Sequence, residues 1–260
     1  MLYGMLHAVL CFVLWLSTTL QGLWRSVREL YMLPLAFSGL SVRQIQQRAR
    51  RWQKIPAHIC LAVTDGPVTY EPLARLVMWC MASGVKHITI WDNQGLCKGS
   101  SSLLRQYLQK AHVAYFGSSC ASHPLVFDEA ILAASQKRPC ASTTPEEEGC
   151  KGADVQSGTG TRIHFCDDDE GRPAIVKAVQ EAARLQRNVD VAWLDAKLTA
   201  TVPELDLVLM FSREPVLHGL LPWHMRVAEI LFCGPHRHVT ARTFIRAMNS
   251  FSRCEQRFGR

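Results

Sequence analysis

Beyond Pro56 the chain switches repeatedly between two hydrophobic periods. His58-Ile-Cys-Leu-Ala-Val63 is a short continuous apolar run, the pattern of a strand buried on both faces. Pro72 then stands near the start of a segment with Leu73, Leu76, Val77, Cys80 and Met81 at helical spacing, closed by Gly84. His87–Trp91 reads as the next strand, 100–111 as a helix and 113–116 as a further short strand. After residue 161 the alternation resumes. A strand is predicted over 163–166, then a helix over 173–188 with Ile175, Val176, Val179, Ala182 and Ala183 on one face, then a shorter helix over 189–199. Further strands follow at 206–211 and 227–232, and Thr240 caps a last helix carrying Phe244, Ile245, Met248 and Phe251. This alternation predicts an α/β fold, a single domain over 55–260 with a mostly parallel sheet flanked by helices. Ligands of such sheets bind beyond the carboxyl ends of the strands.

Two stretches break the pattern. Between 117 and 161 the apolar periodicity fades, and from Ser135 onward Ser, Thr, Gly, Pro and a Glu146-Glu147-Glu148 run dominate, which predicts a flexible surface insertion. Residues 1–24 hold 17 apolar positions and no Asp, Glu, Lys or Arg. As a helix this segment would be about 36 Å long, enough to cross a hydrocarbon core of about 30 Å. A cleaved signal peptide would carry basic residues before the apolar run and a small-x-small site after it. Here the basic residues follow, and Ser17-Thr18-Thr19 is a poor cleavage site, so 1–24 reads as a transmembrane anchor. The arginines on its C-terminal side predict a single-pass topology with the bulk of the chain in the cytosol.

Charge sharpens that picture. The 260 residues carry 29 Lys+Arg against 22 Asp+Glu, a formal net charge of +7. The stretch 25–54 alone holds seven basic residues against Glu29, which leaves the remaining domain nearly neutral. Ser41 is placed to cap a helix with Val42, Ile45, Ala49 and Trp52 on one face and Arg43, Arg48, Arg50 and Arg51 elsewhere. Beside an anchor, such a segment reads either as lying on anionic membrane lipid or as a solvated linker helix. No nucleic-acid motif accompanies it, and no nucleic-acid partner is expected. The ten cysteines form no C-x-x-C pair and fit no zinc spacing, so free thiols are the simplest reading.

Pattern and composition alone reach no chemistry. There is no G-x-G-x-x-G, P-loop or G-x-S-x-G. Asp167-Asp168-Asp169-Glu170 could bind Mg²⁺ through diphosphates, but four acids between a strand and a helix more simply form a solvated turn. His236 and His238 lack a third ligand and read as a loop pair.

The C-terminal third is more specific. Asp206 to Trp223, DLVLMFSREPVLHGLLPW, then Glu229-Ile-Leu-Phe232 and the terminal Glu255-Gln-Arg-Phe-Gly-Arg260, resembles the cis-prenyltransferase family. Leu221-Pro222-Trp223-His224, Cys254–Gly259, and Val77–Gly84 with the strand through Asp92-Asn93-Gln94-Gly95 are similar to its accessory subunits of the Nogo-B receptor type. The resemblance covers roughly 55–115 and 163–260. It implies a cis-prenyltransferase-like domain behind an N-terminal anchor.

The departures from the family pattern set the expected role. The catalytic motif H-x-x-x-x-x-D-G-N-x-R, counted from His58, puts Thr64 at the Mg²⁺-binding Asp. Asp65-Gly66 comes one residue late, and Pro67 and Val68 follow where Asn and Arg belong. A one-residue slip turns a side chain to the other face of a strand, and Pro removes a phosphate-binding N–H. Met210 and Val216 replace two diphosphate-clamping arginines and His218 replaces a Ser. Glu229 matches the family's second carboxylate, a weak metal candidate without its Asp partner.

No catalytic residue of its own is therefore expected. The resemblance implies a subunit, inactive alone, of a heteromeric dehydrodolichyl diphosphate synthase that adds isopentenyl diphosphate in cis to farnesyl diphosphate, for dolichol synthesis and protein glycosylation. The catalytic partner would hold the Mg²⁺, and Arg257, Phe258 and Gly259 would reach into that partner's substrate site. The location implied is the endoplasmic reticulum membrane. Two alternatives stay open: a membrane receptor or scaffold that uses the domain only for binding, and an active homodimer in which Asp65 serves as the catalytic Asp.

Overall fold

The computed structural model describes residues 41–127, 160–186, 188–200 and 202–255, together with His7 and Cys11. The candidate anchor (apart from His7 and Cys11), the segment 25–40, most of the 117–161 insertion and the Arg257-Phe258-Gly259 triplet lie outside the described residues. Among those described, no helix is long and apolar enough to cross a membrane.

Helix α1 (Val42–Ala49) opens with Ser41, whose hydroxyl accepts from the Gln44 N–H while the Gln44 side chain accepts from the Ser41 N–H. Then come β1 (His58–Val63), α2 (Tyr70–Ala82), β2 (His87–Asp92), the one-turn α3 (Leu96–Gly99) and α4 (Ser101–Phe116). The apolar run 113–116 is the last turn of α4 rather than a strand. Leu104, Leu108 and Phe116, four and eight residues apart, are its buried positions, and helical spacing outweighs the strand-like composition of Val-Ala-Tyr-Phe.

The strand that follows is β3 (Leu125–Phe127), so helical and strand structure spans the first eleven residues, 117–127, of the expected insertion. The second half comprises β4 (Thr161–Cys166), α5 (Arg172–Arg184), α6 (Val191–Thr199), β5 (Leu207–Phe211), β6 (Glu229–Phe232) and α7 (Ala241–Arg253).

The six strands form one all-parallel sheet in the order β3-β4-β2-β1-β5-β6. Both faces are covered, which is why β1 is buried at every position. Ile59, Leu61 and Val63 point into the larger core with α1, α2, α4 and α7, where the Trp79 and Phe244 rings lie 5.8 Å apart. Cys60 and Ala62 join Val208, Met210, Trp91, Leu220 and Leu221 in a smaller core on the other face. There α6 is held to the 217–226 loop by the Trp223 indole N–H, 2.9 Å from Asp195 Oδ1. β1 sits at the centre of the sheet, so its carboxyl end opens where a parallel α/β sheet builds its site.

Candidate functional site

At the carboxyl end of β1, Thr64 is zipped to the neighbouring strand. Its N–H donates to the Phe211 carbonyl at 2.9 Å, and its hydroxyl reaches the same oxygen at 3.3 Å. The side chain at the family's metal-binding position is thus satisfied by backbone.

Asp65 follows and turns toward α2. The turn continues through Gly66, whose φ of +120° few other residues adopt. The Asp65 carboxylate is buried and accepts twice from one residue, from His236 Nδ1–H at 2.6 Å and from the His236 backbone N–H at 3.1 Å. His236 is itself fully buried. Its Nε2 accepts from the Thr69 backbone N–H at 2.9 Å, and the Thr69 hydroxyl lies 2.7 Å away. A nitrogen that accepts from a backbone N–H carries no proton, so the ring proton sits on Nδ1.

This arrangement has a direct chemical consequence. Thr69 is the N-cap of α2, where free N–H groups and the helix dipole would receive a phosphate. An imidazole from the β6–α7 loop fills that position instead. Asp65 is fully engaged in holding the imidazole there.

The other expected positions are dispersed. Met210 is completely buried in the smaller core, so it offers no contact to a ligand. Val216 stands 45% exposed on the loop after β5, near His218, which is exposed with a φ of +49°. Glu229 lies at the start of β6, at the amino end of the sheet, opposite Thr64 and Asp65. There it accepts from the Cys254 thiol at 3.4 Å.

The acidic run is a capped turn. Asp167 accepts from the Asp169 N–H, and Lys98 lies 2.5 Å from Glu170 and 3.5 Å from Asp167. Burial nonetheless raises the Glu170 carboxyl above its usual range, with Lys98 pulling the other way. Asp92 is spent similarly, its carboxylate accepting from the N–H groups of Gln94, Leu96 and Cys97 to start α3. Among the described residues no cluster of three or more His, Cys, Asp or Glu can hold a metal. The donors present do not fit Mg²⁺, because Asp65 is bonded to His236 and Glu229 is at the far end of the sheet.

His58 plays a structural part at that far end. Its Nδ1 lies 3.1 Å from the carbonyls of Pro203 and Glu204, and its Nε2 lies 2.8 Å from the Thr89 hydroxyl. Burial first, then the nearby His164 and His87, push its pKa down to about 3. Sequence reasoning missed His236 as a functional position and did not single out Arg237. The Arg237 guanidinium lies 3.6 Å from where a Cβ on Gly66 would stand. No local signal marks either residue, because each meets its neighbours only through the fold.

No family model matches the chain. Over its full length it is 26% identical to the mouse dehydrodolichyl diphosphate synthase complex subunit Nus1, spanning 98% of that protein. The human counterpart gives the same identity and the same coverage. The likeness to Nus1-type subunits thus runs the length of the chain. The fission yeast Schizosaccharomyces pombe Nus1 subunit, 24% identical over 95% of this chain and 96% of its own length, agrees. Lavandulyl diphosphate synthase from Lavandula x intermedia shares the fold, with a TM-score of 0.52 over 79% of this chain and 99% of that one, at 16% identity. In sequence the chain is similar to the Nus1 subunits, and in three dimensions it shares the fold of lavandulyl diphosphate synthase.

Proposed function

We propose that this chain is a non-catalytic but activity-required subunit of a heteromeric dehydrodolichyl diphosphate synthase. In this reading the complex adds isopentenyl diphosphate units in cis to farnesyl diphosphate, supplying dolichol for protein glycosylation. It works at the endoplasmic reticulum membrane with the α/β domain in the cytosol. The observation that carries the reading is His236, seated on the backbone N–H of Thr69 at the start of α2. A chain that bound diphosphate there would need those donors open.

Three further features support it. A growing polyprenyl chain needs an apolar tunnel, whereas the space between α2, α4, α7 and the sheet is filled by Trp79, Leu104, Leu108 and Phe244, each at most 1% exposed. β6 is an edge strand with Phe232 half exposed and Ile230 partly covered, and Val176 and Val179 stand exposed on α5. An unpaired edge carrying apolar side chains is a surface that calls for a partner, here the catalytic cis-prenyltransferase subunit. The Cys254–Glu229 contact starts the segment beyond 254 at that same edge.

From there Arg257, Phe258 and Gly259 extend into the partner's site. The Arg257 guanidinium and the adjacent backbone N–H groups contribute donors to diphosphate oxygens, and Gly259 allows close backbone approach. Mg²⁺ in the complex is held by the partner's carboxylates. The test is the intact complex with residues 257–260 deleted, or with Gly259→Ala. Prenyl transfer is expected to fall by roughly tenfold or more, the scale of losing positioned donors to developing charge. Unchanged transfer by a complex that still assembles would remove the proposed role of the triplet.

A further inference from the structure

We propose that the layer formed by α1 and α7 is a docking surface for the anionic headgroups of a phospholipid leaflet, and that it sets how the domain sits on the membrane. On α7, Arg246 stands three residues before Asn249 and Arg253 four after it, so the three share one exposed helix face, with Arg242 one turn further on. The chain leaving α1 is fastened to that face. The Trp52 indole N–H donates to Asn249 Oδ1 at 2.6 Å, the Gln53 N–H donates to Ser252 Oγ at 2.7 Å, and the Lys54 ammonium lies 4.6 Å from the centre of the Phe251 ring.

Arg50 and Arg51, exposed and immediately before Trp52, therefore lie beside the arginine row of α7. Neither the stretch 41–56 nor α7 contains an Asp or Glu, and Glu255 is the first acid beyond the helix. Two segments almost 200 residues apart in sequence thus converge on one basic face, bordered at the end of α7 by Glu229 and Glu255. This goes beyond the basic juxtamembrane segment, because Arg242, Arg246 and Arg253 come from the last helix of the domain.

The opposite layer is nearly neutral with a small acidic excess, seven Asp+Glu against five Lys+Arg over 167–197. The Asp167–Glu170 turn, Glu181 on α5 and Asp195 on α6 lie on the side of the sheet away from α7, and Lys98, Lys177, Lys197 and Arg226 pair part of their charge. The positive charge is therefore one-sided, a distribution that orients the domain over a negative surface. A lipid leaflet is favoured over a nucleic acid by what precedes α1. The uncharged apolar stretch 1–24 ends 16 residues before Ser41. Even fully extended, a 16-residue link spans only about 55 Å, so a membrane-held stretch keeps the basic face within reach of the headgroups. Each Lys or Arg at an anionic leaflet adds to the attraction, and the whole is screened by salt.

The proposal rests on the anchor reading, and the experiment separates the two. The full chain is reconstituted in vesicles of phosphatidylcholine alone and of phosphatidylcholine with phosphatidylserine, and arginines are modified with phenylglyoxal and located by mass spectrometry. On anionic vesicles, modification of Arg246 and Arg253 is expected to slow roughly fivefold, the factor that about one headgroup interaction per arginine confers. Arg172 and Arg184 on α5 should react equally in both. High salt should abolish the protection, and Arg246→Glu with Arg253→Glu should expose Arg50 and Arg51 again. Flotation with vesicles but equal modification in both lipids would overturn the docking face while leaving the anchor intact. Failure to float with neutral vesicles would overturn the anchor. Protection by added polyuridylic acid but not by anionic vesicles would make the face a nucleic-acid surface and refute the proposal.

Discussion

At Thr69 the backbone N–H that opens α2 meets a histidine from the far side of the chain, and the energetic weight of that contact lies in Asp65. A buried carboxylate is tolerable only because both oxygens are bonded to His236. Removing the imidazole by His236→Ala leaves one oxygen of the buried Asp65 carboxylate and the half-buried Thr69 N–H without their protein partner. A loss of about 2–4 kcal/mol in unfolding free energy is expected, read from urea denaturation of the purified chain. A loss below about 0.5 kcal/mol, the scale of an ordinary surface change, would mean the contact does not hold the site shut. At this scale the sequence was only half legible. The displacement of Asp65 from the catalytic register could be read directly, but its partner could not, because the two are 171 residues apart and meet only when β6 is laid beside β5. His236 read as a loop histidine for the same reason.

Among the elements, strands buried on both faces announced themselves as continuous apolar runs, and β1, β2, β4 and β5 lie where those runs lie. Ambiguity arose where an apolar run was short. Val113–Phe116 has strand composition, yet it continues the buried stripe of α4, and the real third strand is the three-residue β3 that has too little length for a pattern. Three strands also bring together His58 and His87, at the amino ends of β1 and β2, and His164 within β4, with ring centres 5.6 to 5.8 Å apart, a cluster that sequence separation hides.

It has a pH consequence. The folded pKa of His58 is about 3 against 6.5 for the free side chain, so between those values the unfolded chain binds the extra proton. The His58 contribution is complete above the unfolded value and is lost as pH falls below it, at about 1.4 kcal/mol per pH unit. Denaturation curves at a series of pH values below about 6.5 should show that slope, and His58→Gln should flatten it. An identical slope in the variant would assign the acid sensitivity elsewhere.

For the molecule as a whole, the net charge divides into a nearly neutral domain and a basic stretch before it. The fold then joins that stretch to the arginines of α7, so that one layer is basic and the opposite one nearly neutral. Sequence reading located the first of these divisions but not the second, since α1 and α7 become neighbours only across the larger core. The α/β architecture was legible throughout, and so was the departure from the family pattern at Thr64, Met210 and Val216. What the structure adds is the surroundings of these positions: the α2 terminus is occupied by His236, Met210 is buried in the core, and Glu229 lies at the opposite end of the sheet.

The claim that this chain serves another subunit's active site is tested most directly by a prenyl-transfer assay. Isopentenyl diphosphate and farnesyl diphosphate are supplied with Mg²⁺ to the purified chain, to the catalytic cis-prenyltransferase subunit, and to the two co-purified. Long-chain polyprenyl diphosphate should be absent with this chain alone and should rise well above the partner's own level in the complex. Robust turnover by this chain alone, abolished by Asp65→Ala, would contradict the account.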